Sequence, residues 1–395
     1  MNDLHCLISI IFLLAISLLL LSKNDDTETD TLGFDAIKAS LDAFSGLESG
    51  ESEIAAPTSN PLKIFIMVGQ SNTVGHGYIN RVNETDGSFL PGSLEALVET
   101  DPENYAKLKT YDETGNSVWT ERSDVFIAFN DQGSGDIRPR SNKHGPLVAG
   151  YGLSDTEMGP ELGFGWALGD ALGSSSNSDA DPSIMLLKVA WGGKSIAVDY
   201  RPPSSGETIG LYYEAMLANV YMTLAKLENI VPGYTSDRGY EIAGFAWHQG
   251  WNDGCDYTMT LQYEYNLANL IRDVRTDLGV PNLPVSIGVS GMNGWEPNDS
   301  KRTAIVEAQL AVADPEKYPE FAGTVASVET RDFFREVEDS PGTEIYHWNN
   351  NCESYWLIGQ AMGKAMVELL SNKEKTNRNK RNSGLRNFGE TRTVG

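Results

Sequence analysis

"KIFIMVGQSNTVGHG", Lys63 to Gly77, carries the reading that decides the fold. Lys63–Val68 is a short, β-branched and apolar run that ends at Gly69. Such a run, bounded by a glycine, reads as a fully buried strand. Gln70, Ser71 and Asn72 follow, then Gly75, His76 and Gly77. A serine at a strand-to-helix turn sits beside the free N–H groups of the helix start. That placement suits a nucleophile, and equally an ordinary helix-capping serine. A nucleophile needs a base, an acid and an oxyanion hole from elsewhere in the chain.

Further along, the same pattern repeats. Strands are expected at Lys63–Val68, Ser183–Ala190, Glu241–Trp247, Leu283–Val289 and Ala322–Val328. Helices are expected at Pro160–Leu172, Gly210–Leu227, Met259–Leu278, Thr303–Ala313 and Glu353–Leu370. Alternating strand and helix predicts a three-layer α/β/α fold on a central, mostly parallel five-stranded sheet. Ligands in such sheets bind beyond the carboxyl ends of the strands. The stretch Tyr78–Gly159 breaks the rhythm. It is Gly- and Asp-rich with one strand-like piece, "DVFIAFN" at Asp124–Asn130, and reads as a pocket-shaping elaboration or an inert loop.

The chain has 395 residues, 40% of them hydrophobic, enough for a large core. Its formal charge of −25 disfavours nucleic acid and anionic membrane surfaces as partners. Leu4–Leu21 is an apolar run just long enough to span a bilayer, within a segment 1–22 read as a signal peptide or membrane anchor. Export follows from either. Residues 23–60 read as an acidic flexible linker, 61–370 as the folded domain and 371–395 as a basic disordered tail. The tail carries seven Lys or Arg against two Glu.

Three later strand ends carry unusual sequences. "VAWGGKSI" offers Gly192 and Gly193, which let a backbone N–H approach a ligand. "FAWHQGWNDGCD" gathers His248, Gln249, Trp251, Asn252 and Asp253, whose amides can donate to an oxyanion. "TEIYHWNNNCESYW" sets Glu344 three residues before His347, where a carboxylate can orient an imidazole. Beyond the N-terminal His5, only His76, His144, His248 and His347 can supply a base. No H-x-x-x-H or His/Asp cluster with metal-ligand spacing appears, and no cofactor is expected.

Ser, Gly, Asn and His at successive strand ends, in that chain order, resemble the SGNH hydrolases. Within them the chain is similar to the sialate O-acetylesterase and acetylxylan esterase group, carbohydrate esterase family 6. "FIMVGQSNTVGHG", "GPELGFGWAL", "AWGGKSI", "WHQGWND" and "EIYHWNNNCESYWLIGQAM" carry the resemblance over about residues 62–370. It implies Ser-dependent hydrolysis of an acetylated carbohydrate without metal. It places Ser71 as nucleophile, His347 as base, and Gly193 or Gly192 with Asn252 in the oxyanion hole, with Gln249 sharing that role. Many members carry Glu where this chain has Trp251, so the acid is Glu344 or, alternatively, Asp253. Gln70, Asn72, Trp251 and Trp348 are expected at the substrate. Trp191 and Tyr346 suit sugar faces, and Arg331 suits an acidic sugar's carboxylate. Cys255 and Cys352, on the two site loops, are expected within disulfide range. A non-catalytic glycan-binding protein and a lipase-like esterase are the rival readings. The oligomeric state stays open.

Overall fold

The computed structural model describes residues 60–131, 141–173, 181–206, 208–296 and 299–389. The apolar run Leu4–Leu21, and all but residue 60 of the 23–60 segment, lie outside them.

Seven strands form one sheet: β1 (Leu62–Gly69), β2 (Arg122–Asp131), β3 (Ser141–Leu147), β4 (Ile184–Ala190), β5 (Tyr240–His248), β6 (Val285–Gly288) and β7 (Val325–Val328). The principal helices are α1 (Ser71–Val74), α2 (Glu161–Leu172), α3 (Leu211–Leu224), α4 (Tyr257–Asp277), α5 (Ser300–Val312) and α6 (Cys352–Gly389). Strand order is β7-β6-β5-β1-β4-β2-β3. All neighbours are parallel except the antiparallel pair β2/β3.

All five expected strands are present, but the sheet has two more. Both come from the stretch that breaks the sequence rhythm. β2 adds Val125–Phe129, five buried residues, parallel to β4. β3, "SNKHGPL", is a polar edge strand with no run of apolar residues to announce it.

β1 shows why the layers form. Leu62, Ile64, Ile66 and Val68 face one core with Tyr213 of α3, Leu267 and Ile271 of α4 and Ile305 of α5. Phe65 and Met67 face the other, with Leu162 and Phe164 of α2 and Tyr355, Ile358 and Met362 of α6. A strand apolar on both sides has to be covered on both faces, which fixes the three-layer arrangement. The last helix runs 38 residues to Gly389, past the Leu370 boundary where a disordered tail was expected. Ser371–Gly389 is polar but contains no proline, and its Lys, Arg and Glu residues favour a helix.

The chain leaves β1 toward β2 and β4 on one side and later crosses to β5 on the other. That reversal opens a crevice at the carboxyl end of β1. β1 can end there only on a glycine: a Cβ on Gly69 would lie 2.2 Å from the His248 carbonyl oxygen of β5.

Candidate active site

Ser71 opens α1 directly after β1, with extended Gln70 as its N-cap. Its surroundings are tightly fixed. Tyr200 Oη donates to the Gly69 carbonyl at 2.7 Å, and Thr73 Oγ1 donates to the His248 carbonyl at 2.9 Å. Below the turn, the fully buried Lys188 of β4 donates to Val74 O (2.6 Å), Tyr151 O (2.7 Å) and Glu161 Oε2 (2.7 Å). Gly159 N donates to the other oxygen of Glu161. A buried charge needs such pairing and saturation to be tolerated. Lys188 and Glu161 thereby anchor the end of the four-residue helix that carries Ser71.

The glycine pair lies against this turn. A Cβ on Gly192 would sit 3.9 Å from Ser71 Cβ. Gly193 adopts φ +68 with open space around it. The N–H groups of Ser71, Gly192 and Gly193 have no acceptor among the described residues. Three unsatisfied donors beside one serine are the raw material of an oxyanion hole.

The loop after β5 is held by Gln70, whose side-chain oxygen accepts from Gly250 N (3.3 Å) and Asn252 N (3.2 Å). Gln70 therefore braces this loop through its side-chain oxygen. Asn252 makes no side-chain capping bond and is partly exposed. Asp253 is fully buried and accepts from Ile196 N and Ala197 N, both at 3.0 Å, and from Gln249. Burial pushes its carboxyl up to about 6. This arrangement overturns two expectations. Asp253 ties the Gly192–Ala197 loop to the β5 loop and makes no bond to His347. Gln249 spends its amide on Lys194 O (3.0 Å) and Asp253, so it is not an oxyanion donor.

His347 lies in a loop between β7 and α6. Its Nδ1 is 2.8 Å from Glu344 Oε2. The carboxylate fixes Nδ1–H and leaves Nε2 as the proton-accepting nitrogen. Burial lowers the His347 pKa, and Glu344 opposes that shift. The bond to His347 in turn holds the Glu344 carboxyl below its ordinary value. The backbone here is unusual: Trp348, Asn349 and Asn350 have φ of 55, 53 and 58. Asparagine tolerates this left-handed region, and tryptophan rarely enters it.

Asn72, next to Ser71, joins the Ser71 turn to the His347 loop. Its Nδ2 donates to Tyr346 O (2.9 Å) and its Oδ1 accepts from Tyr355 Oη (2.8 Å). Tyr355 Oη also lies 3.4 Å from His347 O. Both ends of the Asn72 amide are thus used internally, so it is a positioning group and not a substrate contact. Ser71 Oγ makes no hydrogen bond to another described residue.

Several aromatic expectations change. Trp348 is fully buried against the second core, and Trp191 is fully buried with Tyr200 and Tyr212, so neither meets a sugar. Tyr346 is exposed and Trp251 half-buried, 6.0 Å apart, with the Arg302 guanidinium 3.9 Å over Trp251. Arg331 is paired with Glu329 through two hydrogen bonds, 2.8 and 2.6 Å, which occupies the fork that a sugar carboxylate would need. The two cysteines are free. Cys255 is exposed and bonds Trp251 O, while Cys352 is buried at the start of α6 and bonds Tyr78 O. The two loops both border the site, but their cysteines point into different surroundings.

His347 Nδ1 has a carboxylate at 2.8 Å, whereas His76 Nδ1 is 3.8 Å from Glu157. His248 is buried with Nδ1 on Gly288 O, and burial lowers its pKa to about 4. His76 was considered only as a base, yet it lies flat on His347, ring centroids 3.8 Å apart and planes within 7°.

With nucleophile turn, glycine pair and His–Glu pair in place, comparison with known proteins decides the family. The model of the family described as "Carbohydrate esterase, sialic acid-specific acetylesterase" matches residues 61–368. The chain belongs to this family. It is a carbohydrate O-acetylesterase. No curated protein matches it. Solved structures with similar folds include a protein from Arabidopsis thaliana (19% identity, 78% of this chain, 98% of that one, TM-score 0.46). A carbohydrate acetylesterase from Xanthomonas citri shares 13% identity over 78% of this chain and 56% of that one, TM-score 0.45. NanS shares 12% over 82% of this chain and all of that one, TM-score 0.44. With every score below 0.5, nothing further is built on these three.

Proposed function

We propose that the esterase removes O-acetyl groups from sialic acids through an acyl-enzyme formed on Ser71. The observation that carries the mechanism is the 2.8 Å contact of Glu344 with His347 Nδ1, on a loop tied to Asn72 beside Ser71. Ser71 Oγ attacks the acetyl carbonyl as His347 Nε2 takes its proton. The N–H groups of Ser71 and Gly192 or Gly193, with the Asn252 amide, receive the oxyanion. His347 then protonates the departing sugar alkoxide, and water releases acetate by the reverse sequence. The sialate assignment follows the family description. The exposed Tyr346 and the partly exposed Trp251 offer faces for a sugar ring. Export, as a cleaved secreted protein or on an N-terminal anchor, is proposed from the apolar run Leu4–Leu21.

The substrate is tested by acetate release from O-acetylated sialic acids, acetylated xylan and other acetylated glycans side by side. A kcat/KM for an O-acetylsialate well above the rest supports the assignment. Preference for acetylated xylan overturns it and leaves the mechanism standing.

A further inference from the structure

His76 has no part in the mechanism above, yet it is packed on the base. Its imidazole stacks on His347 at 3.8 Å with a 7° interplanar angle. Tyr346 meets the same His347 ring edge-on, centroids 4.5 Å apart at 66°. Glu344 holds Nδ1. The base is therefore gripped on one face, along one edge and at one nitrogen.

The placement of His76 is itself enforced. Gly75 has φ +96, and its missing Cβ would lie 2.4 Å from Gly159. A Cβ on Gly77 would lie 2.9 Å from the Tyr355 ring. Asn350 Nδ2 donates to His76 O at 3.0 Å, so the loop carrying His347 also fixes the backbone of its stacking partner. The charged and titratable groups around the ring come from five elements, including Tyr355 of α6, which interacts with the His76 backbone. Glu157 Oε1 is 3.8 Å from Nδ1, His347 and Glu344 stand on the base loop, Lys188 on β4, and Tyr78 follows on its own strand. Burial, with His347 next, lowers the His76 pKa to about 3. The ring thus stays neutral when His347 takes a proton. It presents a flat aromatic face to the imidazolium instead of a second charge.

We infer that His76 is a positioning residue for the base: its stacked ring fixes the plane of His347 and shields that face from water. This rests on the Ser71–His347 reading. The stack makes His76 act through His347 and not on the substrate, so its loss lowers kcat with little change in KM. Burial is the main cause that lowers the His347 pKa, so uncovering the ring raises it toward the ordinary ~6.5 of histidine.

The test is the rate at which a fluorophosphonate labels Ser71, followed against pH. In that step Ser71 Oγ displaces fluoride from phosphorus and His347 takes the serine proton, so no sugar is needed. His76→Ala is expected to label about 10- to 100-fold more slowly, the scale of losing alignment at a catalytic group. Its acid limb should move to higher pH. His76→Phe keeps a flat ring and should slow less than about fivefold with its limb unmoved. His76→Leu fills the space without a flat ring, should match the alanine variant, and carries the test if that variant unfolds on thermal melting. A leucine or alanine variant with wild-type rate and limb overturns the inference. So does a phenylalanine variant as slow as the leucine one. Wild-type protein that does not label at any pH overturns the Ser71–His347 reading itself, and the inference with it.

Discussion

Lys188→Met removes the buried ammonium that anchors the nucleophile helix. Lys188 and Glu161 are 0% and 1% exposed, and their contact is 2.7 Å. Methionine fills much the same volume, so the change is mainly electrostatic. Val74 O and Tyr151 O each lose a charge-assisted hydrogen bond. Glu161 keeps only the bond from Gly159 N and becomes an unpaired buried carboxylate. Removing one partner of a buried pair costs about 3–5 kcal/mol. At roughly 2–4 °C per kcal/mol for chains of a few hundred residues, the melting midpoint should fall by about 6–20 °C. Glu161→Gln in the same background removes the stranded charge, so the double variant should recover at least about 1 kcal/mol relative to simple addition of the two losses. The functional consequence is separate: α1 loses the anchor at Val74, and kcat should fall in protein that is still folded. Calorimetric or fluorescence melting of the four proteins, with kcat on p-nitrophenyl acetate, measures both effects. A Lys188→Met variant melting within a degree of wild type, with unchanged kcat, would refute the anchoring argument.

Three further outcomes are expected. Because burial lowers the His347 pKa, wild-type kcat/KM should hold below pH ~6.5 before its acid limb appears. Glu344 raises that pKa, so Glu344→Gln should move the acid limb to still lower pH and cut kcat by about 10- to 100-fold. That is less than the ~10⁴ of a buried acid, since Glu344 is 41% exposed. Asp253→Ala should lower the melting temperature by removing the tie to Ile196 and Ala197, and leave the acid limb in place. A Glu344→Ala variant with near-normal kcat beside an inactive, well-folded Asp253→Ala would reverse the assignment of the acid. In native, unreduced protein Cys255 should react with a thiol reagent and Cys352 only after unfolding; failure of both to react after unfolding without reductant would mean that they pair.

The alternation of apolar runs and helical stretches was readable because parallel strands buried on both faces are almost wholly apolar, as β1 and β4 are apart from Lys63 and Lys188. β3 was not readable: an edge strand of Ser, Asn, Lys and His carries no such signature. At the site, Ser71 and the glycine pair stood out from their positions at strand ends, and His347 from its place before the last helix, three residues after Glu344. The supporting amides were misread for one physical reason. Gln70, Asn72 and Gln249 have side chains that suit a polar ligand, but here they satisfy buried backbone groups of neighbouring loops, and sequence does not reveal which loops meet. Trp348 looked like a sugar platform because it adjoins His347, yet the left-handed turn at 348–350 sends it into the core. Lys188 and Tyr355 gave no signal at all: Lys188 sits inside an otherwise apolar strand, and Tyr355 reads as one more core residue of an amphipathic helix.

The central claim is that Ser71 is the nucleophile. Peptide mapping by mass spectrometry after fluorophosphonate treatment, paired with p-nitrophenyl acetate hydrolysis by Ser71→Ala, tests it most directly. The account predicts one adduct, on Ser71, and a Ser71→Ala protein that is folded and hydrolyses the ester more than about 10³-fold more slowly. An adduct on another residue, or a Ser71→Ala protein with wild-type hydrolysis, would contradict it.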